Sequence, residues 1–545
     1  MNQLSDAPPP GQRPVTWREL TGFFAMVFGM FMSILDVQIV TSSISELQAG
    51  LSASADEIAW VQTSYLIAEV ITIPLSGWLS RAFSTRWLFL TTCIGFTCMS
   101  AACAFAGDLN SMIVFRALQG LFGGAMIPTV FATSFMVFSP KRRASNSVLM
   151  GLVATAAPTV GPTLGGWITA DFSWHWLFLI NVVPGTIVAF TVYSLVFFDK
   201  AELRLLRQFD WLGVILVALF LGSLEYVLEE GPRNEWFDDG SIVTFAWVAG
   251  ISGVLFFWWE LTCKHPIVVL RTFADRNFAI GCTFSFVVGI GLYGAIYITP
   301  LFLGEVANYD SLQIGVLMSV AGICQMLMAP ISGKMTRTYD LRFVLSTGLV
   351  VLGASIALNS LLTNLWRFDQ MFWPQVLRGI GLMLCFPPIN ALTLGLLPPD
   401  KVRNGSGLYN LMRNLGGAIG LASINTVLTE RYALHYSRLT ESVTLRRWNV
   451  QSMLDGLSAR FGSVLPGDGS LEASKMLAGL VNREALVLSF ADALLLMSLV
   501  FFAALLLMPF VRRVRLPSSL PPAEAPAPGQ AARGAAVAEA LAEAH

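Results

Sequence analysis

The sequence predicts an all-α polytopic membrane protein with fourteen transmembrane helices, arranged as two six-helix bundles related by an internal repeat plus an inserted helix pair. Three observations predict it. Charged residues make up 13% of the 545 residues and hydrophobic ones 55%, whereas a soluble domain carries roughly a quarter charged residues. The charges cluster between apolar runs of about 20 residues, the length that crosses a hydrocarbon core about 30 Å thick. Finally, "PLSGWLSRAFSTRW" from Pro74 to Trp87 returns half a chain later as "PISGKMTRTYDLRF" from Pro330 to Phe343, with Pro, Ser, Gly and both Arg at the same spacing.

In chain order, the expected spans are 20–42, 57–79, 87–106, 111–138, 145–169, 176–198, 210–230, 241–260, 278–304, 311–333, 342–363, 370–397, 405–428 and 485–511. The first 19 residues are polar and proline-rich. No cleavage site follows the first apolar run, so that run reads as a signal anchor. The repeat extends beyond its first copy. "FRALQG" (Phe115–Gly120) precedes Pro128 and "PKRR", and "LRGIG" (Leu377–Gly381) precedes Pro387, Pro388 and "PPDK". Spans two to four therefore correspond to spans ten to twelve.

The resulting division has a cytoplasmic segment 1–19, an N-terminal bundle 20–200, inserted helices seven and eight at 201–268, and a C-terminal bundle 269–511. The C-terminal bundle carries an exported loop at 429–484, and a Pro/Ala-rich tail 512–545 is expected to be disordered. Internal repeats with a substrate site at their interface are the usual construction of secondary transporters.

Lysine and arginine set the orientation. Alternate loops on the side of both termini hold nearly all of them, including Arg81, Arg86, Lys141, Arg142, Arg143, Lys334, Arg337, Lys401 and Arg403. The short opposite loops hold only Arg233 and Arg367. Both termini are thus expected in the cytoplasm, with the chain in a bacterial inner membrane in contact with lipid. The balance of 34 basic against 35 acidic residues offers no footprint for nucleic acid. No cysteine lies in an exported loop, so no disulfide framework is implied.

The motifs on these spans resemble those of the major facilitator superfamily, in particular its 14-helix drug:proton antiporters of the EmrB/QacA type. "GWLSRAFSTRW" resembles the loop motif between helices two and three, through Gly77, Arg81 and Arg86. "RALQGLFGGAMIP" resembles the helix-4 motif with its buried arginine, Arg116, and "LDVQIVTSSI" the helix-1 motif. "GLVATAAPTVGPTLGGWI" resembles the helix-5 antiporter motif, through Gly151, Pro158, Gly161, Pro162, Gly165 and Gly166. "HYSRLTESV" resembles the EmrB branch, whose members work with a periplasmic adaptor. The chain departs from the pattern in having Arg81 and Ser84 where the loop motif has an aspartate and a second glycine. It also has Thr41 and Ser45 where the helix-1 motif has Asn and Pro.

Seven charges inside spans are singled out: Asp36, Glu69, Arg116, Glu225, Arg378, Arg413 and Asp492. Each costs roughly 2.5–3.5 kcal/mol at the bilayer centre and needs a reason to be there. At 1.5 Å per residue, Asp36 and Arg116 both lie ~9 Å below the outer face. They can pair if helices one and four face one cavity, as the resemblance implies. Glu69 lies ~18 Å deep, nearest the midplane. In the functional reading Asp36 and Glu69 bind protons and Arg116 is their switchable partner, since a nearby guanidinium favours the carboxylate and its withdrawal favours the acid. The alternative is a constitutive pair that only orients helices.

Arg378 and Asp492 match in depth at ~12 Å and read as a helix-locking pair. Glu225 belongs to the inserted helices and is expected at the periphery. Arg413 is expected to snorkel to the cytoplasmic interface. The glycine–proline run of helix five would be justified by packing alone, so its antiport role rests on the resemblance.

No P-loop, metal spacing of histidines or nucleophile elbow is present. The expected protein is therefore no enzyme and has no cofactor other than the proton as coupling ion. The expected function is proton-driven export of amphipathic or hydrophobic compounds, with an adaptor and through it an outer-membrane channel as partners. The alternatives are a lipid-like or metabolite transporter on the same scaffold, and a non-transporting membrane scaffold. The exported loop would either dock the adaptor or pack on itself as a lid.

Overall fold

The structure, a computed structural model, describes residues 16–54, 57–462 and 469–512. Most of the expected N-terminal segment, positions 463–468 of the exported loop and the tail beyond 512 lie outside the described residues. The described residues are helical, without a strand.

Helix α1 (Trp17–Ser42) starts at a capping box: the Thr16 hydroxyl accepts from the Glu19 N–H, and the Glu19 carboxylate accepts from the Thr16 N–H. After the short α2 (Ile44–Leu51), α3 (Trp60–Phe83) crosses back with Pro74 inside it. Only Ser84 separates α3 from α4 (Thr85–Ala104), and its φ of 74° and ψ of 155° lie in a region that favours glycine. The expected loop motif departs from its pattern at this same position. Ser84→Gly should therefore stabilise the protein by about 1 kcal/mol, read as a rise in the thermal midpoint of the purified chain.

The fourth span is two helices, α5 (Leu109–Gly123) and α6 (Met126–Val137), broken at Gly124–Ala125. Helix α7 (Pro140–Asp171) stays continuous through Pro158 and Pro162. It is followed by α8 (His175–Leu179) and α9 (Val182–Leu195). The inserted pair is α10 (Trp211–Glu230) and α11 (Gly240–Thr262). Asp108 caps α5 through the Ser111 hydroxyl and amide, and Asp239 caps α11 through Ser241 and the Ile242 amide. These bonds hold both carboxyls below their ordinary range.

The second half contains α12 (Arg276–Glu305), α13 (Ser311–Thr338), α14 (Leu341–Asn359), α15 (Phe368–Thr393), α16 (Pro399–Ser442), α17 (Trp448–Gly462) and α18 (Ser470–Ala504). Among the described residues, thirteen helical stretches are long and apolar enough to cross a membrane. The fourteenth expected span, 405–428, lies within α16. Asn404, Asn410, Arg413 and Asn414 make α16 too polar to count by composition, yet it is enclosed by α12, α18, α3 and α6. Along its first half, Asn404, Asn410 and Arg413 are buried against protein, and Asn414 lines the central cavity.

The expected exported loop is largely helix. With 44 residues, α16 runs past the membrane region, α17 packs on α18, and α18 starts at Ser470. Tyr432 of α16 donates to Asn482 of α18 across this extension.

The two halves meet chiefly where α3 crosses α16 and α7 crosses α13, with α6 also packed on α16 and α7 on α15. The repeated glycines mark the two chief crossings. A Cβ on Gly77 would lie 2.7 Å from Asn404 Oδ1 and 2.8 Å from the Arg403 carbonyl, and one on Gly333 would lie 3.2 Å from Val148 Cγ2. The repeat therefore puts a small residue at each of these crossings, near the end of the molecule that carries the arginine-rich loops (the basic end).

Candidate functional site

Asp36 on α1 and Arg116 on α5 form an ion pair, Nη1 to Oδ2 at 2.6 Å, with both side chains fully buried. The sequence expected this pairing, but it did not anticipate the neutral residues that complete it. Gln119 Nε2 donates to Asp36 Oδ1 at 3.0 Å and Asn181 Nδ2 to the same oxygen at 2.8 Å. Arg116 Nη1 also donates to Gln119 Oε1 at 2.8 Å, and its Nε donates to the Val61 carbonyl at 3.2 Å. Three donors converge on Asp36, which suits a carboxylate and leaves no acceptor for an acid proton. Arg116 Nη2 has no partner among the described residues. Asn181 follows "WLFLI" and Gln119 lies one turn beyond Arg116. That i,i+3 spacing is the one signal that placed Gln119 on the face of Arg116.

Two glycines of the helix-4 motif bring α5 onto α3. A Cβ at Gly120 would run into the Tyr65 carbonyl, and one at Gly124 into the Glu69 carbonyl. This contact lays the Arg116 guanidinium over the Tyr65 ring, 4.3 Å from its centroid. Tyr65 and Glu69 are one turn apart on α3, so Glu69 sits in the layer next to the ion pair.

Glu69 lines a cavity between the halves. Its walls come from α1 (Ile34, Val37, Gln38), α3 (Leu66, Glu69, Val70), α6 (Ile127), α10 (Glu225, Glu229), α12 (Tyr293) and α16 (Asn414 to Leu421). The cavity lies beyond the Gly77–Asn404 crossing, toward the end opposite the basic loops. At the basic end the halves are closed. Arg403 of α16 pairs with Asp199 at 2.7 Å, and the Ser406 hydroxyl donates to the Pro128 carbonyl at 2.6 Å.

Three expectations about the remaining charges are corrected. Asp492 does not meet Arg378; its Oδ2 lies 2.9 Å from His435 Nε2 and 3.6 Å from Arg431 Nε. Both partners fall on the long extension of α16, which the sequence reading assigned to a loop. Arg378 instead donates to the Ala295 carbonyl at 3.2 Å and to Met318 Sδ, with no carboxylate partner among the described residues. Arg413 does not snorkel. It is 4% exposed, donates to Asn410 and stacks near Phe131, Phe386 and Tyr409. Glu225 is not peripheral, because α10 packs on α3, with Gly222 facing Ile67 and Ile71, and this turns Glu225 into the cavity. Since Asp492 is part-exposed, Asp492→Asn is expected to cost less than about 1 kcal/mol, read by thermal unfolding.

The motif residues are placed as packing elements. On α7, Gly161 faces Gln38 of α1, Gly165 faces Ser42 and the Ile39 carbonyl, and Gly151 faces Phe386 of α15. Pro158 is buried and Pro162 half-buried, and the Gly166 carbonyl accepts from Thr169. Thr155, between them, donates to Gln325 of α13. The Arg81 carbonyl accepts from the Glu202 N–H at 3.1 Å. Arg86 stacks on Tyr193 of α9 and on Phe197 just beyond it, 4.7 and 4.1 Å from the ring centroids.

Residues 26–421 match the family described as Major Facilitator Superfamily. The chain is similar to the colistin resistance protein EmrB of Acinetobacter baumannii, 41% identical over 491 residues, which cover 90% of this chain and 96% of that one. It is also similar to the multidrug export protein EmrB of Escherichia coli K12, 31% identical over 506 residues covering 91% and 96%. In fold it resembles the proton:xylose symporter XylE, with a TM-score of 0.56 at 12% identity over 91% and 96% of the two chains. With the family match spanning most of the chain and relatives aligned nearly end to end, the chain belongs to the Major Facilitator Superfamily.

Proposed function

We propose that the protein is a proton-driven exporter of amphipathic or hydrophobic compounds, working by alternating access. It would sit in a bacterial inner membrane with the basic end in the cytoplasm, and pass cargo to a periplasmic adaptor and an outer-membrane channel. Relatives named for multidrug export and colistin resistance support the cargo class. One observation carries the coupling: the buried Asp36–Arg116 pair lies one layer behind a cavity lined by Glu69. In the conformation seen here three donors converge on Asp36, and Arg116 keeps an unpartnered Nη2 with its guanidinium over Tyr65, one turn from Glu69 on α3. Protonation of Glu69 from the cavity leaves Arg116 committed to Asp36. Loss of that proton offers Arg116 a second carboxylate and loosens the first. Proton and cargo then favour different states of the same helices, which is the requirement for exchange. A proton entering down 100 mV supplies about 2.3 kcal/mol plus the pH difference.

Everted vesicles energised by respiration, with a pH probe inside, test this reading. Adding amphipathic cations, weak acids and neutral compounds in turn is expected to raise lumenal pH for at least one class. No response to any class, with the adaptor present as well as absent, would overturn export by proton exchange.

A further inference from the structure

Asp210 and Glu260 meet at the end of the inserted pair remote from the cavity. Asp210 ends the connection from the N-terminal half and caps α10, and Glu260 lies in the last turn of α11, where the chain leaves for the second half. This is the basic end: Phe209 packs edge-on against Trp78, beside Gly77, with ring centroids 4.8 Å apart. A Cβ on Gly213 would run into both Asp210 Oδ2 and Glu260 Oε1, so the two carboxyl groups turn onto one spot over the α10 backbone. Their surroundings differ. Asp210 accepts from the Gly213 N–H at 2.9 Å and from Trp259 Nε1 at 3.0 Å to Oδ1 and 2.9 Å to Oδ2. Glu260 is 2% exposed, and neither of its oxygens has a hydrogen-bond partner among the described residues. The neighbouring charges are placed elsewhere. Glu225, Glu229, Glu230 and Asp238 lie at the far end of the pair, and Arg204, Arg207, Lys264 and His265 on the two connections are exposed. Arg271 donates to the Leu261 carbonyl at 3.1 Å, and Asp275 accepts from the Phe278 N–H at 2.9 Å. Arg81, at this end of α3, has Arg403, Glu202 and Asp400 as its charged neighbours.

Two carboxylates turned onto one point away from water do not both stay charged. The N–H donors around Asp210 suit a carboxylate, and the bare oxygens of Glu260 suit an acid. One proton completes the set, with the Glu260 O–H donating and Asp210 Oδ2 accepting. We propose that Asp210 and Glu260 bind one proton between them, at a site separate from the transport cavity, and that this proton locks the base of the inserted helix pair. When the proton passes to water at the basic end, two like charges face each other across Gly213. Glu260, the acid without donors, then turns out to solvent, and the end of α11 parts from α10. Because the two acids stand where the chain enters and leaves the insert, the proton holds the incoming and outgoing connections together. The site needs neither cargo nor export, so its failure would leave the export reading untouched.

Cys263, half-buried just past Glu260, reports on this base. The test uses the full-length purified chain with the other six cysteines replaced by serine, and follows alkylation of Cys263 by iodoacetamide at about pH 6 and about pH 8.5. Glu260→Gln keeps an N–H to donate to Asp210 and has no proton to lose. Dividing the rate in the chain with Glu260 by the rate in Glu260→Gln, at each pH, cancels the ordinary gain in thiolate. This ratio is expected to rise about ten-fold from the lower to the higher pH, because only the chain with Glu260 opens. Asp210→Asn removes the facing charge and is expected to label as Glu260→Gln does at both pH values. Infrared difference spectra between the two pH values give a second reading. The C=O stretch of a protonated carboxyl, lost on raising the pH, is expected to be weaker by one group in Glu260→Gln. A labelling ratio that does not change with pH, or an infrared difference identical in the two chains, would overturn the proposal.

Discussion

Arg116→Leu is expected to abolish cargo-linked proton movement and to destabilise the protein by about 3–5 kcal/mol. The loss has a specific origin. Asp36 is 1% exposed, and without the guanidinium it keeps only the neutral donors of Gln119 and Asn181. A buried carboxylate left without its cation costs far more than the pair contributes when intact. The double replacement Asp36→Leu with Arg116→Leu should therefore recover much of the stability, because both charges leave together. It should recover none of the transport. Thermal unfolding of the single and double variants, alongside vesicle transport, separates these effects. A double variant that transports would reduce the pair to a helix-orienting contact.

Gly77→Val is expected to open the basic end. In the conformation seen here Gly77 touches the backbone of α16 at Arg403 and Asn404, where a Cβ would lie 2.8 Å from main-chain atoms. Backbone cannot turn aside as a side chain can, so α3 and α16 must separate. Overpacking of this kind costs about 1–3 kcal/mol, which moves a two-state equilibrium by roughly five- to 150-fold. Ser406, one turn along α16 from Arg403, is fully buried and donates to the Pro128 carbonyl of α6. A cysteine placed there, with the seven native cysteines replaced, should react with a hydrophilic maleimide at least about five-fold faster when residue 77 is Val. Unchanged labelling would mean that this crossing does not gate access.

The repeat and the matching depth of Asp36 and Arg116 were legible because each depends on spacing along the chain, while their facing one another came from the family resemblance. Depth in a membrane is likewise a count of residues. Rotation about a helix axis is not. Asp492 and Arg378 agree in depth yet face different neighbours. Glu225 was misplaced because the small Gly222, which lets α10 press on α3, looks like any other glycine in an apolar run. The long α16 hid His435 and Arg431 as partners, since a helix that outruns the bilayer carries no hydropathy signal at its far end. Asn181 and Gln119 were missed for a different reason. Neutral amides cost little in a span, so they do not stand out as buried charges do. Ser84 shows the reverse: a departure from the motif pattern marked a real backbone feature, the single left-handed residue between α3 and α4.

The most direct measurement uses proteoliposomes holding the purified chain in one orientation, with an internal pH probe and an imposed cargo gradient. Wild type and Asp36→Asn are compared at equal incorporation. Asparagine keeps a side-chain oxygen for Gln119 and Asn181, removes the charge and the proton site, and puts an amide NH2 in place of the Oδ2 that accepts from Arg116. Cargo-driven pH change in wild type that disappears in Asp36→Asn, with cargo binding retained, is the expected result. Undiminished proton movement in Asp36→Asn would contradict a coupling path through the buried Asp36–Arg116 pair.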